Sequence, residues 1–592
     1  MASDFDADVV VIGSGFGGSV AALRFAEAGH RVLVLERGDE VTRKTFEPDL
    51  DMFWDPPRQR FGMNQLRRSG RNVVTWTGSA VGGGSNVYAA TLKRVCEFDG
   101  FPSAIQEDDL APYYTIVEDM LGATEYPSYP PYSDVAATQL LLRADARLER
   151  ERPDLVEGAG RIRLGISFAP PGGHPGQVFT NRFGVTQRYA DPRDQSILGG
   201  DIGSKNSLDR NYLVEARRQG VRIGSMCEAD RIRSLPGGGW EIEVSRLRRA
   251  DGWAQKLRRR WSWRPPPPLA TPERVTGRVL VVAAGSLGST ELLLRNRELH
   301  GTLDRINEHL GERYTTNGDS YTLLLEGRGL ALGWLGTLIM SAGLVKRKRL
   351  VALLGAALAT AGSMRARKAY DPDLGPTNSD YIRFVGVDGQ IQGVYIEGGR
   401  YPNPIRWVIA AALGAVGGYR PTRYPLIALV TDIAGIFVPP LNIVARSLPI
   451  PLLTMGRDDA VGRIHLDKDG RAEIEINLRQ NDQFYSYGEM LGRLVADAAG
   501  ARWMPNPVLR WLRIIDVPHN LGGVPMGEGP AEGVVDDVGR VFGVEDLVVL
   551  DGSIIPRSLG PNPSLTIAAL AERAMPTLVR QLADEGHIRA IV

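Results

Sequence analysis

The first forty residues alternate between apolar blocks and glycine-rich breaks. Val9-Val10-Val11-Ile12 is a β-branched run with no polar interruption, as a parallel strand buried on both faces requires. Gly13-Ser14-Gly15-Phe16-Gly17-Gly18 follows at once. Ser19 to Gly29 has helical composition with Gly29 as its stop, and Arg31 to Leu35 is a second apolar strand ending at Glu36. This order predicts a βαβ unit that holds a dinucleotide. Gly13 permits the tight turn, Gly15 (with Phe16 beside it) lets main chain approach a pyrophosphate, and Gly18 lets helix sit close on strand. The pyrophosphate would cap the helix, where free N–H groups and the dipole favour an anion. Glu36 stands where a carboxylate accepts from ribose hydroxyls.

The same rhythm of strand, glycine and helix recurs. Val279 to Val282 runs into Ala283-Ala284-Gly285-Ser286, and Leu547 to Leu550 runs into Asp551-Gly552-Ser553. Pro561-Asn562-Pro563-Ser564 then opens a long helix, with Pro563 suited to its first turn (N1). Gly78, Gly82, Gly83 and Gly84, followed by Ser85 and Asn86, form a second glycine cluster able to lie against something flat or anionic. Leu512 to Val517 reads as a strand that delivers His519 at its end. Trp240 to Val244 and Trp261 to Trp263 read as a hairpin about Asp251-Gly252, and Asp467-Lys468-Asp469-Gly470 as a hairpin turn.

Composition narrows the class. A chain of 592 residues exceeds what one core serves, so two or more domains are expected. Its net charge of +1 excludes a general nucleic-acid binder. Cys96 and Cys227 cannot make a disulfide framework or a four-ligand zinc site, and no metal is expected. Acidic residues precede the first strand where a secretory leader needs basic ones, so a cytoplasmic location is expected.

Residues 329–345 and 350–364 are uncharged and flank Lys346-Arg347-Lys348-Arg349. Residues 409–418 and 425–445 are also strongly apolar. Each run is short or interrupted against the ~20 residues of a spanning helix. The expectation is an apolar helical insertion, about 329–364 and 405–445, whose basic elbow meets the headgroup layer. The other reading is a hairpin packed as ordinary core or as an oligomer interface.

Taken together, the N-terminal nucleotide motif, Gly82-Gly83-Gly84-Ser85, Ala283 to Gly288, His519-Asn520-Leu521-Gly522-Gly523, Asp551-Gly552-Ser553 and Asn562-Pro563 resemble the glucose–methanol–choline (GMC) flavoprotein oxidoreductase superfamily, and its cholesterol-oxidase-like branch most closely. The resemblance implies an α/β FAD-binding Rossmann-type domain of glutathione-reductase-like kind, interleaved with an α+β substrate domain on a largely antiparallel sheet. Residues 1–100, 200–325 and 505–592 are expected in the first, 101–199 and 326–504 in the second. FAD would be non-covalent, since no histidine lies near Gly78 to Gly84. The cofactor would be held at Gly13, Gly15, Phe16, Gly18, Glu36, Gly78, Gly82, Gly83, Ser85, Asn86, Ala229 (near adenine), Ala284, Gly285, Asp551, Gly552, Asn562, Pro563 and Ser564.

The implied chemistry is oxidation of an alcohol. His519 would take the hydroxyl proton as hydride leaves for flavin N5, a histidine's ordinary pKa being near neutrality. Asn562 would hold the substrate oxygen, and Glu397 is the candidate for the glutamate that cholesterol oxidases bring from the substrate domain. The expected substrate is a bulky apolar alcohol, such as a sterol or terpenoid, with O2 or another electron acceptor and no nucleic acid. The alternatives are a redox-neutral lyase or isomerase on the same flavin fold, an oxidoreductase for a small polar alcohol or sugar, and a non-catalytic lipid-binding protein.

Overall fold

The computed structural model describes residues 5–41, 53–56, 60–192, 203–248, 269–325, 375–386, 393–399, 450–458, 462–505 and 513–588, with 354, 355, 357, 358 and 509. The apolar runs about 329–364 and 405–445, and Trp261 to Trp263, lie almost wholly outside the described residues. No described helix is long and apolar enough to cross a membrane.

The chain opens with strand β1 (Ala7–Ile12), helix α1 (Phe16–Glu27) and strand β2 (Val32–Leu35). Strand β3 (Val73–Gly78), helix α2 (Ala136–Glu151) and strand β4 (Val156–Arg161) follow. Helix α3 (Tyr212–Arg218) and strand β5 (Arg222–Gly224) precede an antiparallel meander of β6 (Cys227–Ser234), β7 (Trp240–Arg248) and β8 (Leu269–Val282). Next come helix α4 (Gly285–Leu294) and strands β9 (Ser320–Leu325), β10 (Asp380–Phe384), β11 (Val394–Gly398) and β12 (Ile450–Met455). Helix α5 (Asp482–Ala498), strands β13 (Arg502–Pro505), β14 (Ile515–Val517) and β15 (Leu547–Val549), and helix α6 (Ser564–Asp584) complete the described elements used below.

Two sheets organise most of these elements, and β3 and β14 pair in a third. In the first, β5, β2, β1, β8 and β15 run parallel, with Val9 opposite both Val32 and Val279, and Leu280 opposite Leu547. The valines and leucines of the three central strands are nearly all fully buried, as a parallel sheet covered on both faces requires. β8 is long enough to serve several neighbours. Its first half pairs with β7 from Leu269 to Gly277, and its second half lies between β1 and β15. That pairing corrects the hairpin expected from Trp240–Val244 and Trp261–Trp263. All nine residues of β7 take β8 as partner, because the run that begins at Leu269 is extended and continuous with the core strand. Asp467 to Gly470 does form a hairpin turn, Gly470 taking φ +73°.

The second sheet, in the order β13-β9-β12-β11-β10-β4, is antiparallel throughout. Helices α2 and α5 cover one face. Alternation therefore sends Tyr321, Tyr381, Tyr395, Glu397, Leu453 and Met455 to the opposite face, where the tyrosines, Leu453 and Met455 pack as one cluster. β9 already belongs to this sheet, so the crossover into it falls just before Ser320.

α1, α3 and α6 meet on the first sheet through one buried acid. Glu572 (3% exposed) takes a bidentate pair from Arg24, at 2.7 and 2.8 Å, and a bond from the Tyr212 hydroxyl at 2.7 Å.

Candidate functional site

Glycines set the cradle for a dinucleotide. Gly13 turns at φ +100°, and a Cβ built there would come within 2.2 Å of the Ala283 carbonyl. A Cβ on Gly18 would reach the Gly13 carbonyl at 2.1 Å, and one on Gly17 the Leu550 carbonyl at 1.7 Å. These three let α1 lie against β1, β8 and β15. Gly15 differs, since a Cβ there would meet no described atom within 4 Å, and the same holds for Gly84 and Gly285. Gly15 is also the N-cap of α1 and caps it with no side chain, leaving its first N–H groups to whatever fills that space.

The second glycine cluster lies over the first. Gly82 and Gly83 take φ +97° and +54°, and a Cβ on Gly83 would stand 2.7 Å from the Gly15 Cα. Gly78 in turn backs onto Gly83. Ser14, which sequence reasoning passed over, ties the parts together. Its N–H and hydroxyl donate to Glu36 Oε2 at 3.0 and 2.7 Å, while its oxygen accepts from Gly82 N at 3.0 Å. Gly38 N takes Glu36 Oε1 at 2.8 Å. Three protein donors leave the carboxylate room for about one more. Ala229 sits on β6, two residues beyond Cys227, whose N–H bonds the Glu36 carbonyl.

Ser85 holds Gly82 O and Leu208 N, and the Asn86 amide donates to Val81 O at 2.9 Å while its buried Oδ1 has no partner among the described residues. Phe16 packs edge-on to Tyr88. Ala284 caps α4. Asp551 accepts from Gly285 N at 2.8 Å, Ser289 Oγ, Ser553 N and Ser553 Oγ, so protein donors fill its lone pairs and staple α4 to the Gly552 turn. Pro563 is the N-cap of α6, one residue earlier than the N1 place expected, because Ser564 is the first residue with helical bonding; the Ser564 hydroxyl reaches Thr91 O. Open space at Gly15 and Gly84 and an uncapped helix start fit the pyrophosphate half of FAD.

His519 follows β14, whose parallel pairing with β3 fixes the strand end from which it projects. Asp319 meets it twice. Its Oδ2 accepts from His519 N at 3.1 Å, and its Oδ1 lies 2.8 Å from His519 Nδ1. The Asp319 carboxylate is wholly buried, which raises its pKa, while the histidine charge and both bonds lower it. A carboxylate only accepts, so Nδ1 carries the hydrogen and Nε2 is left as an acceptor.

Glu397, on β11, is fully buried. Burial pushes its carboxyl up to about 8, against the Asn562 amide, which holds it down. Asn378 donates to its Oε2, while Glu397 Oε1 and Asn562 Oδ1 have no partner among the described residues. The approach to Asn562 is fixed by Asn317 (φ +54°). Its Oδ1 accepts from Leu559 N and Gly560 N, and its amide donates to Gly560 O and Pro561 O, at 2.9 to 3.1 Å. Tyr395 of the tyrosine cluster lies against Gly560.

Sequence reasoning missed Asp319, Asn317 and Asn378. The signal for the first two was Thr315-Thr316-Asn317-Gly318-Asp319-Ser320, a polar run just ahead of an apolar strand, and every side chain in it is buried. Among the described residues no cluster of His, Cys, Asp and Glu could hold a metal ion.

Residues 458–571 match the GMC oxidoreductase family and residues 8–46 an FAD binding domain. A cholesterol oxidase of Acinetobacter baumannii is 25% identical, over 97% of this chain and 94% of its own length. A cholesterol oxidase of Mycobacterium tuberculosis is 27% identical, over 96% and 90%. The solved structure of a fungal aryl-alcohol oxidase superposes with a TM-score of 0.57 at 16% identity, covering 98% of this chain and 100% of that one, a likeness of fold.

Proposed function

For a flavoprotein that carries the GMC oxidoreductase domain behind an FAD binding domain, and so oxidises an alcohol with FAD, we propose that the substrate is a bulky apolar alcohol of sterol or terpenoid kind. The observation that carries this substrate class is the face of the antiparallel sheet beside Asn562. Tyr321, Tyr381, Tyr395, Leu453 and Met455 offer an apolar, aromatic wall there, interrupted by Glu397. An apolar wall with a few convergent polar groups is the usual make-up of a small-molecule site. Curated relatives named for cholesterol and long-chain alcohols agree with it.

FAD bound in the glycine cradle supplies the acceptor for hydride. The chain's own residues manage the oxygen and its proton. An Asn562 amide N–H donates to the substrate oxygen and orients it, leaving the hydroxyl proton to the histidine. His519 Nε2 takes the hydroxyl proton, which becomes the second ring proton of an imidazolium. Glu397, neutral at pH 7 by its raised pKa, adds no second negative charge beside the forming carbonyl.

The apolar runs flanking Lys346 to Arg349 would draw such a substrate from a lipid surface. One experiment addresses both points. The oxidised holoenzyme is mixed anaerobically with sterols, long-chain alcohols and sugars, presented in micelles and in anionic liposomes. Flavin bleaching by a lipid-like class alone is the expected result, faster from liposomes for wild type than for a variant neutralised at residues 346–349. Bleaching by sugars alone would overturn the substrate class, and a flavin bleached by no alcohol would favour redox-neutral chemistry. Equal rates from liposomes for both proteins would remove the membrane contact.

A further inference from the structure

Asp319 has a peculiarity among the buried acids of this molecule. Among the described residues both its oxygens are spent on one residue, His519, with one on the main-chain N–H and one on the ring. A buried carboxylate is costly unless its partners repay the lost hydration, and an N–H anchor alone would be served by an uncharged acceptor. The neighbouring acids are accounted for otherwise. Asp458 is bound by Thr315, Thr316 and Ser558. Asp516 on β14 is half-buried, its Oδ1 has no partner among the described residues, and its carboxyl is pushed up to about 7 by burial and then by Asp319. Glu397 is held up to about 8. Of the phenols nearby, burial raises both Tyr314, whose hydroxyl donates to Asn520, and Tyr485. Of these acids, Asp319 is the one whose carboxyl oxygens bond the histidine.

We propose that Asp319 is the positioning residue for His519: through its paired bonds at 2.8 and 3.1 Å it fixes the ring as the Nδ1–H tautomer, keeps Nε2 aimed at the substrate oxygen, and supplies the counter-charge when Nε2 gains the hydroxyl proton. This rests on His519 being the base. The same short loop holds the other side of the site, since Asn317, two residues earlier, fixes the turn that leads to Asn562. Loss of the carboxylate should thus be felt in the ring's tautomer and basicity, with the cofactor cradle untouched.

The test uses holoenzyme labelled with 15N at histidine, with His519→Gln to assign the resonance. Wild type is expected to show a single Nδ1–H tautomer for His519, and Asp319→Asn a mixture or the Nε2–H form, at unchanged FAD content and melting temperature. In anaerobic flavin reduction by micellar cholesterol or 1-dodecanol, Asp319→Asn should lose about 10²- to 10⁴-fold in kcat with KM within about three-fold. The acid limb of its pH profile should move to lower pH, because the imidazolium has lost its counter-charge. Asp319→Glu should recover part of the rate. An Asp319→Asn enzyme with the wild-type tautomer and rate overturns the proposal. If that variant fails to fold, the wild-type spectrum still decides, since an Nε2–H ring in wild type overturns it. If His519→Ala keeps full rate, the base assignment is what fails, and Asp319 goes with it while its tautomer effect persists.

Discussion

Glu397 illustrates how one side chain's environment sets both its chemistry and its effect on stability. Burial holds its carboxyl up to about 8, against the Asn562 bond that lowers it. In the unfolded chain a glutamate ionises near 4.3. Between those values the folded protein keeps a proton that the unfolded chain has shed, so stability falls as pH rises, by up to about 1.4 kcal/mol per pH unit, and levels off above the folded value. Glu397→Gln is expected to remove that slope. Urea midpoints for both proteins at about pH 5 and pH 8 would check it: the wild-type fall should exceed the variant's, and equal falls would mean that Glu397 ionises normally. His519, Asn562 and Glu397 were legible in the sequence as candidates, two from motif and one from its region. Their partners were not legible. Asp319 reaches His519 across 200 residues of chain, and Asn378 reaches Glu397 only through the pairing of β10 with β11. Register of that kind has no local signature.

At the scale of elements, the glycines of the first βαβ unit divide by what a methyl group would meet. Gly17 backs onto the Leu550 carbonyl, so α1 is pressed onto the loop after β15 there, whereas Gly15 opens on space. Gly17→Ala is expected to cost more than about 3 kcal/mol, because main chain must separate. Gly15→Ala should cost the apoprotein only about 1 kcal/mol at this helix cap while weakening FAD binding at least ten-fold. Melting curves of the apoproteins and FAD titration by fluorescence quenching would separate the two. Equal FAD affinity in Gly15→Ala would mean that the cofactor does not use that space. The sequence pattern announced this unit because its apolar runs, glycines and acid fall within forty consecutive residues. It misjudged the partner of β7 because a strand that pairs with different neighbours along its length looks, locally, like a linker followed by a core strand.

Over the whole molecule, the two sheets are threaded through each other by the chain. The parallel sheet draws on residues near 10, 34, 223, 280 and 548, and the antiparallel sheet on segments from 156 to 505. Neither can come apart without pulling on loops that belong to the other, including Thr315 to Asp319, which ties β9 to His519 and to the turn before Asn562. Urea unfolding should therefore show one transition, with far-UV circular dichroism, tyrosine and tryptophan fluorescence and flavin release coinciding. A flavin signal lost well before the helical signal would contradict this. The arrangement also has a consequence for how the protein is made. β15, the edge that closes the parallel sheet against β8, is about 540 residues behind β1 in the chain. At a synthesis rate of roughly 5–20 residues per second, the first strand leaves the ribosome roughly 30–110 s before its sheet can be completed. Within that interval β1 acquires both its partners, β2 and then β8, so the strand left with an open edge until the end of synthesis is the second half of β8.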